Sequence, residues 1–340
     1  MPPLHNLDAR GPHDPVASTP HRAPGSIRRT SSIDTTRPDG IGGQMVMDGR
    51  ARDVFTPVDG EAVTIGAADV LATVDGASRE LQAFRSSPKV AAVQDLIGTV
   101  VGPGFRAKVD GVVAGEREAH SLLYLLLDDL PGAGLVSGYA MLEADAVPKA
   151  RRPDEYLFAR SDLCAGWASD GSMMVMIREH GQNPTPLGPP APDIPRADDP
   201  DGWHEIAPLP PTGMRRIRRI DVLPPTAATE PHRVDVFFRD SYADAEGAET
   251  VVHEYQVSAE VDDATRTVVD IDATADVLPW MECPAAVGSA SRLVGHPLAD
   301  LRPWVRETFV GTTTCTHLND VLRGLSDVGV LLDELTAAKR

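Results

Sequence analysis

Apolar and polar positions alternate with a period of two in two separate parts of the chain, and in each part a helical spacing then takes over. In the first part, Arg28 to Asp34 alternates as a short strand, Arg37-Pro38-Asp39-Gly40 reads as a turn, and Gln44 to Phe55 continues the meander. Ala62 to Ala77 keeps the strand pattern. Ala77 to Phe84 and Ser87 to Ile97 then read as helices, the second with Pro88 near its start and Val90, Val93, Leu96 and Ile97 as its apolar stripe. Arg117 to Leu130 is a third helix, with Leu122, Leu123, Leu126 and Leu127 inward. In the second part, Met214 to Val222 and the alternation of Val234, Val236 and Phe238 predict strands. Val251 to Val261 and Thr267 to Ala273 predict an antiparallel pair that turns at Asp262 to Thr265. Three helices follow, over Cys283 to Leu293, about Leu298 to Phe309, and Cys315 to Ala338.

Between the two parts, residues 183–213 hold ten prolines, so this stretch must be a loop or a wrapped linker. Residues 1–26 are rich in Pro, His, Arg and Ser without apolar periodicity and predict a mobile tail, or an arm lying on a partner. The expected organisation is therefore a tail, an N-terminal block over 27–182, the linker, and a C-terminal strand-then-helix block over 214–340. Each block alone supplies too few strands to cover a helical layer. We therefore expect one compact α+β unit, with the strands near Ile33 and Val46 in the same antiparallel sheet as those near Val257 and Val269. Helices should pack on one face of that sheet.

Candidate chemistry concentrates at the C-terminal end. Pro284 suits a first helical turn, which makes Cys283 an N-cap or its neighbour, and Cys315 opens the last amphipathic run, with His317 two residues on. A thiol at a helix N-terminus feels unpaired N–H groups and the positive end of the dipole, which predicts a lowered pKa. His253 lies on a strand nearby in sequence. Elsewhere the simpler readings prevail. His120 beside a leucine run reads as a satisfied boundary residue, and Met173, Met174 and Met176 read as packing residues, with a soft-metal site as the sharper alternative. Arg215, Arg216, Arg218 and Arg219 read as a solvated face, or else as an anion-binding edge.

Several of these segments carry a family resemblance. Arg28-Arg29-Thr30 with Ile33-Asp34 and Arg37-Pro38-Asp39-Gly40, the His253 strand, Pro279 to Cys283, Leu293-Val294-Gly295 and Cys315-Thr316-His317-Leu318 together resemble the bacterial domain of unknown function 2889 family. The matching segments lie at both ends of the chain and leave its centre uncovered, and the family name implies no activity. The C-terminal order of elements is also similar to that of iron–sulfur scaffold proteins of the sulfur-mobilisation type. That pattern has a third cysteine, for which Asp270, Asp272, His253 or His317 would have to stand in.

Composition narrows the classes. The chain has 340 residues, is 42% hydrophobic and 24% charged, and carries a formal net charge of −18, which argues against nucleic acid or an anionic membrane surface as partner. Three cysteines form no even disulfide framework, no signal peptide precedes the fold, and the longest apolar run, Leu122 to Leu127, is too short to span a bilayer, so a cytoplasmic protein is expected. No glycine-rich phosphate loop, dinucleotide motif or Gly-x-Ser-x-Gly elbow is present.

Two readings from different classes remain. In the first, His253, Cys315 and His317 line a pocket and move protons for an isomerase, hydratase or lyase acting on a small organic substrate, with no cofactor. In the second, Cys283, Cys315, His317 and Asp272 hold a single zinc or iron ion in a metal-binding or sulfur-carrying module. The plain alternative to both is a pair of buried helix-start cysteines with a packed His317. Self-association as a homo-oligomer is compatible with all three.

Overall fold

Strands with one inward face seek a shared sheet, and here two four-strand meanders join edge to edge. In the computed structural model, which describes residues 4–144, 153–227 and 230–338, β1 (Ser26–Thr36), β2 (Met45–Thr56), β3 (Val63–Val74) and β4 (Leu81–Ser87) form the first meander. The second consists of β5 (Met214–Leu223), β6 (His232–Ala243), β7 (Glu249–Asp262) and β8 (Thr267–Val277). The eight strands form one antiparallel sheet in the order β4-β3-β2-β1-β5-β6-β7-β8. The α+β architecture read from the patterning is the one observed, and the strands at Ile33, Val46, Val257 and Val269 share this sheet.

The seam between β1 and β5 shows that the meanders repeat one another. Arg28, Arg29, Ile33 and Asp34 of β1 and Arg215, Arg216, Ile220 and Asp221 of β5 stand at identical spacing, and Arg52-Asp53 of β2 matches Arg239-Asp240 of β6 at the same offset. Because β1 and β5 run antiparallel, Arg28 falls opposite Asp221 and Arg215 opposite Asp34. Both pairs close as two-pronged salt bridges, Arg28 Nε to Asp221 at 2.6 Å and Arg215 Nε to Asp34 at 2.7 Å. A pseudo-twofold axis therefore passes between the two strands.

Helices cover one face. α1 (Phe105–Val112), α2 (Ala114–Glu118), α3 (Leu122–Val136), α4 (Tyr139–Glu143), α5 (Pro153–Arg160) and α6 (Ser172–His180) follow the first meander; α7 (Leu298–Thr308), α8 (Thr316–Gly324) and α9 (Val328–Ala338) follow the second. Leu123, Leu126, Leu127 and Leu130 of α3 pack on Met47, Val70 and Phe105, while α8 and α9 pack on Ile220, Tyr255 and Val257. Among the described residues, no helix is long and apolar enough to cross a membrane.

The other face is covered by irregular chain. The N-terminal segment, expected to be mobile or to lie on a partner, instead runs along its own fold. Asp14 N donates to the Asp276 carbonyl at 3.1 Å, Leu278 N to that of Pro12 at 3.0 Å, and Arg22 pairs with Asp199. The proline-rich stretch wraps the same side, where Ile194 and Trp203 bury Ile217 and Phe237. An N–H-poor chain suits this role, because it covers a sheet face without leaving donors to satisfy.

Four expected helices differ. Ala77 to Phe84 holds a turn, capped by the Asp75 carboxylate on the N–H groups of Ala77 and Ser78, and then strand β4. Pairing with β3 outweighs the local helical spacing there. Ser87 to Ile97 contains only a short 3-10 helix at Ala91–Leu96, and Cys283–Leu293 is also 3-10. The final run divides into α8, a 3-10 turn at Leu325–Asp327, and α9, which lets both helices follow the twisted sheet.

Candidate functional site

The row of residues that crosses β5, β6 and β7 at one level begins the site. Arg216 lies opposite Asp240 and Asp240 opposite His253, all facing the helices. Arg216 grips Asp240 in two-pronged fashion, Nε to Oδ1 at 2.8 Å and Nη2 to Oδ2 at 3.0 Å, and reaches Asp320 of α8 through Nη1 at 2.6 Å. His317, in the first turn of α8, is laid on His253 with ring centroids 3.6 Å apart and planes 18° from parallel. Both rings turn one nitrogen toward the same carboxylate oxygen. His253 Nδ1 is 3.6 Å and His317 Nε2 3.8 Å from Asp240 Oδ2.

Burial opposes the Asp240 charge, but Arg216 and the histidines hold its carboxyl well below the usual range. His317 is pushed down to about 3, first by burial and then by its neighbour His253, so it is neutral at physiological pH. With Nε2 aimed at a carboxylate, the proton is assigned to that nitrogen, leaving the Nδ1 lone pair toward Thr316 and Cys315. His253 Nδ1 is buried, with the Asp240 carboxylate as its polar neighbour.

Beyond the histidines lies a pocket of about 340 Å³. Its walls include Tyr139, Trp167, Trp280 and all three cysteines, so His253, Cys283, Cys315 and His317 meet at one cavity despite their distance in sequence. Gly166 makes this possible locally: a Cβ there would stand 2.7 Å from Cys283 Sγ and 3.3 Å from the Trp280 ring. Tyr255 reaches the thiols from β7 and is fully buried, its hydroxyl meeting the Cys315 thiol.

The thiols correct the sequence reading. Cys315 does cap α8 and Cys283 does open a helix, but the helix ends do not govern their acidity. Burial pushes Cys164 up to about 12 and raises Cys283 and Cys315, and the proximity of other thiols adds to the rise at Cys164 and Cys283. Desolvation of a thiolate exceeds the attraction of one helix turn. Cys315 Sγ lies 3.8 Å from His317 Nδ1, yet proton transfer from a raised thiol to a depressed imidazole is strongly uphill, which leaves both neutral.

Of the expected metal ligands, Cys283, Cys315 and His317 share the cavity and Asp272 does not. Asp272 lies on the exposed side of β8 opposite Ser258, five positions along β7 from His253 and on the other face, roughly 16 Å away at strand rise. A different trio, Asp240, His253 and His317, does bring ligand atoms within 4.8 Å of one another. The stacked rings do not fit an ion, however. Imidazole lone pairs lie in the ring plane, and an ion about 2.1 Å from both nitrogens cannot lie in the planes of two near-parallel rings stacked with centroids 3.6 Å apart. Asp240 is also already neutralised by Arg216.

Sequence reasoning missed Asp240, Arg216 and Cys164. The signal for the first two was present in the repeated Arg-Arg and Arg-Asp pairs at equal spacing, combined with the period-two rule that puts Arg216, Asp240 and His253 on one face. Of the basic cluster, Arg215 and Arg216 pair as described, Arg218 pairs with Asp129 and Arg219 with Asp221. It is neither a solvated face nor an anion-binding edge. His120, read as a boundary residue, contacts Asp327 at 3.2 Å, and the methionines lie on α6.

An antiparallel sheet with a buried Arg-Asp-His-His row at its helix-covered face, opening on a thiol-lined pocket, defines the class of this α+β protein. Residues 214–330, the second repeat with the whole row, match the family described as a protein of unknown function (DUF2889). No curated protein and no solved structure matches the chain. The first repeat keeps the corresponding Arg29–Asp53 pair, with Arg29 Nε 2.8 Å from Asp53, but places Gly66 where His253 stands. The histidine pair therefore belongs to the second repeat alone.

Proposed function

We propose that the pocket performs acid–base chemistry on a small organic substrate, of the isomerase, hydratase or lyase type, with His317 and His253 as the proton-transfer groups. The observation that carries this reading is a pair of stacked imidazoles backed by one ionised, arginine-anchored carboxylate at the mouth of an aromatic and thiol-lined cavity. Asp240 orients both rings and stabilises whichever takes up a proton. His317 offers Nδ1 as base. Cys315 and Cys283 form the protonated wall beside it, with Cys315 as the polar neighbour of Nδ1 and no part as a nucleophile. A carrier of metal or sulfur has less support, since its thiols must ionise and its expected aspartate lies elsewhere.

The test needs no knowledge of the complete reaction. Wild-type protein is incubated in D₂O with a panel of small carboxylic and keto acids, and deuterium incorporation at carbon is read by NMR. Exchange should occur with at least one compound and fall by about two to four decades in His317→Gln and His253→Gln, the usual worth of a positioned proton-transfer group. Absence of exchange across the panel, together with one tightly bound metal per chain by elemental analysis, would overturn the proposal.

A further inference from the structure

A second cavity of about 440 Å³ shares Leu135, Thr316 and His317 with the thiol-lined pocket. Four arginines line it, Arg79, Arg106, Arg216 and Arg306, against one carboxylate, Asp320. Three of the four are accounted for. Arg216 is held by Asp240 and Asp320, Arg306 by Asp110 at 2.8 Å, and Arg106 lies 3.3 Å from Asp128 and 3.4 Å from Asp320. Arg79 is not: among the described residues no carboxylate lies within salt-bridge range of it, and its Nε and Nη2 are buried without a hydrogen-bond partner. Arg37 nearby is likewise without a carboxylate, and its Nη1 is also orphaned.

Burying a guanidinium with no counter-charge is costly, and burial lowers the pKa of both residues, at Arg37 with Arg79's charge adding to the effect. The fold nevertheless maintains the arrangement. Arg79 occupies the left-handed region at φ 63°, a conformation that a side-chain-bearing residue rarely adopts. Gly134 of α3 leaves room for it, since a Cβ there would stand 2.9 Å from Arg79 Nη2. Gly132, two residues earlier in the helix, does the same for Arg216, at 2.1 Å from Nη1. Two glycines inside a helix are unfavourable by themselves, and here they clear the passage of two cations.

The geometry points to an anion subsite at Arg79 that receives the carboxylate of an amphipathic organic acid, whose apolar body passes Thr316 and His317 into the pocket walled by Tyr139, Trp167 and Trp280. One unneutralised cation lining the cavity matches one negative charge. The shared rim leads the chain of the acid past His317, where a proton on carbon is the one to be moved. The inference thus rests on, and sharpens, the acid–base reading. An anion bound at Arg79 also favours a protonated His317, so that binding strengthens the base it presents to the substrate.

Titration calorimetry on the full chain tests this with 3-phenylpropionate as probe and 3-phenylpropan-1-ol, acetate and inorganic phosphate as comparators. The acid should bind about tenfold or more tightly than the alcohol and than acetate, and Arg79→Gln should weaken the acid by about tenfold or more while leaving the alcohol unchanged. Because Arg79 has no partner to lose, Arg79→Gln should melt no lower than wild type. Arg79→Lys, which keeps the charge, should keep the preference of the acid over the alcohol. Equal binding of acid and alcohol, an acid affinity indifferent to Arg79→Gln, preferential binding of phosphate, or no binding of the acid would each overturn the subsite. His317→Gln separates the two proposals: if it still binds the acid while wild type shows no deuterium exchange, the subsite stands and the acid–base reading falls.

Discussion

Replacing Gly132 by alanine sets two physical effects of opposite sign against each other. In an open helix the change is favourable by about 1 kcal/mol, because alanine is the better helix former. At this site the new methyl carbon would stand 2.1 Å from Arg216 Nη1, 3.0 Å from its Cζ and 2.7 Å from Asp320 Oδ2. Arg216 is only 2% exposed and is tied at both ends, to Asp240 and to Asp320, so its guanidinium has nowhere to swing. Relief requires breaking the Arg216–Asp320 contact, and opening a buried pair costs about 3–5 kcal/mol. The expected net effect is a loss of about 2–4 kcal/mol, the packing cost less the helix gain. Urea unfolding with linear extrapolation measures it, with Gly111→Ala in α1 as control. A Cβ at Gly111 meets nothing within 4 Å, so this change should stabilise by about 0.5–1 kcal/mol. If Gly132→Ala proves as stable as wild type while Gly111→Ala gains, the argument that Arg216 fixes the helix sequence is wrong.

Acidification should weaken the fold well before the carboxylates titrate. His317 and His204 are both pushed down to about 3 by burial, so the unfolded chain, with ordinary histidines near 6.5, takes up protons first; their stabilisation is complete above pH 6.5 and is lost as pH falls toward 3. From pH 7 to 5 each contributes a loss of about 2 kcal/mol, offset near the lower end by the raised carboxylates Asp48, Glu254 and Asp276. Urea unfolding at pH 7, 6 and 5 should show a flatter decline in His204→Gln, which can keep the contacts to Thr30 and Ser32, and an unchanged slope would refute the assignment. Native protein at pH 7.5 should resist iodoacetamide at Cys164, Cys283 and Cys315, with reaction about a hundredfold slower than for free cysteine, since the thiolate is the reacting form. Stoichiometric alkylation of folded protein, read by mass spectrometry, would contradict the burial argument.

The alternation of apolar residues by itself determined seven of the eight strands, because a sheet with one face under helices imposes a period of two on whatever segment joins it. The same holds for the wrapped proline-rich stretch and for Cys315 as a helix start, which are local properties of backbone and cap. His253, Cys283, Cys315 and His317 were legible as candidates for the same reason: each sits at an element boundary or an inward strand position that the pattern marks. Tertiary structure alone decided the rest. Local spacing favoured a helix where β4 forms, and only the exposed edge of β3 reversed that preference. Whether Arg215 to Arg219 face water or carboxylates depends on Asp34, Asp129, Asp221, Asp240 and Asp320, which three different strands and two helices bring to them. The acidity of the thiols reversed sign because desolvation is set by everything packed around a group, whereas a helix dipole belongs to one segment. Arg79 is the furthest case. Nothing in its neighbours along the chain distinguishes it from a solvated arginine, and its unpartnered Nε and Nη2 are enclosed only where α3, with glycine at 134, passes over them.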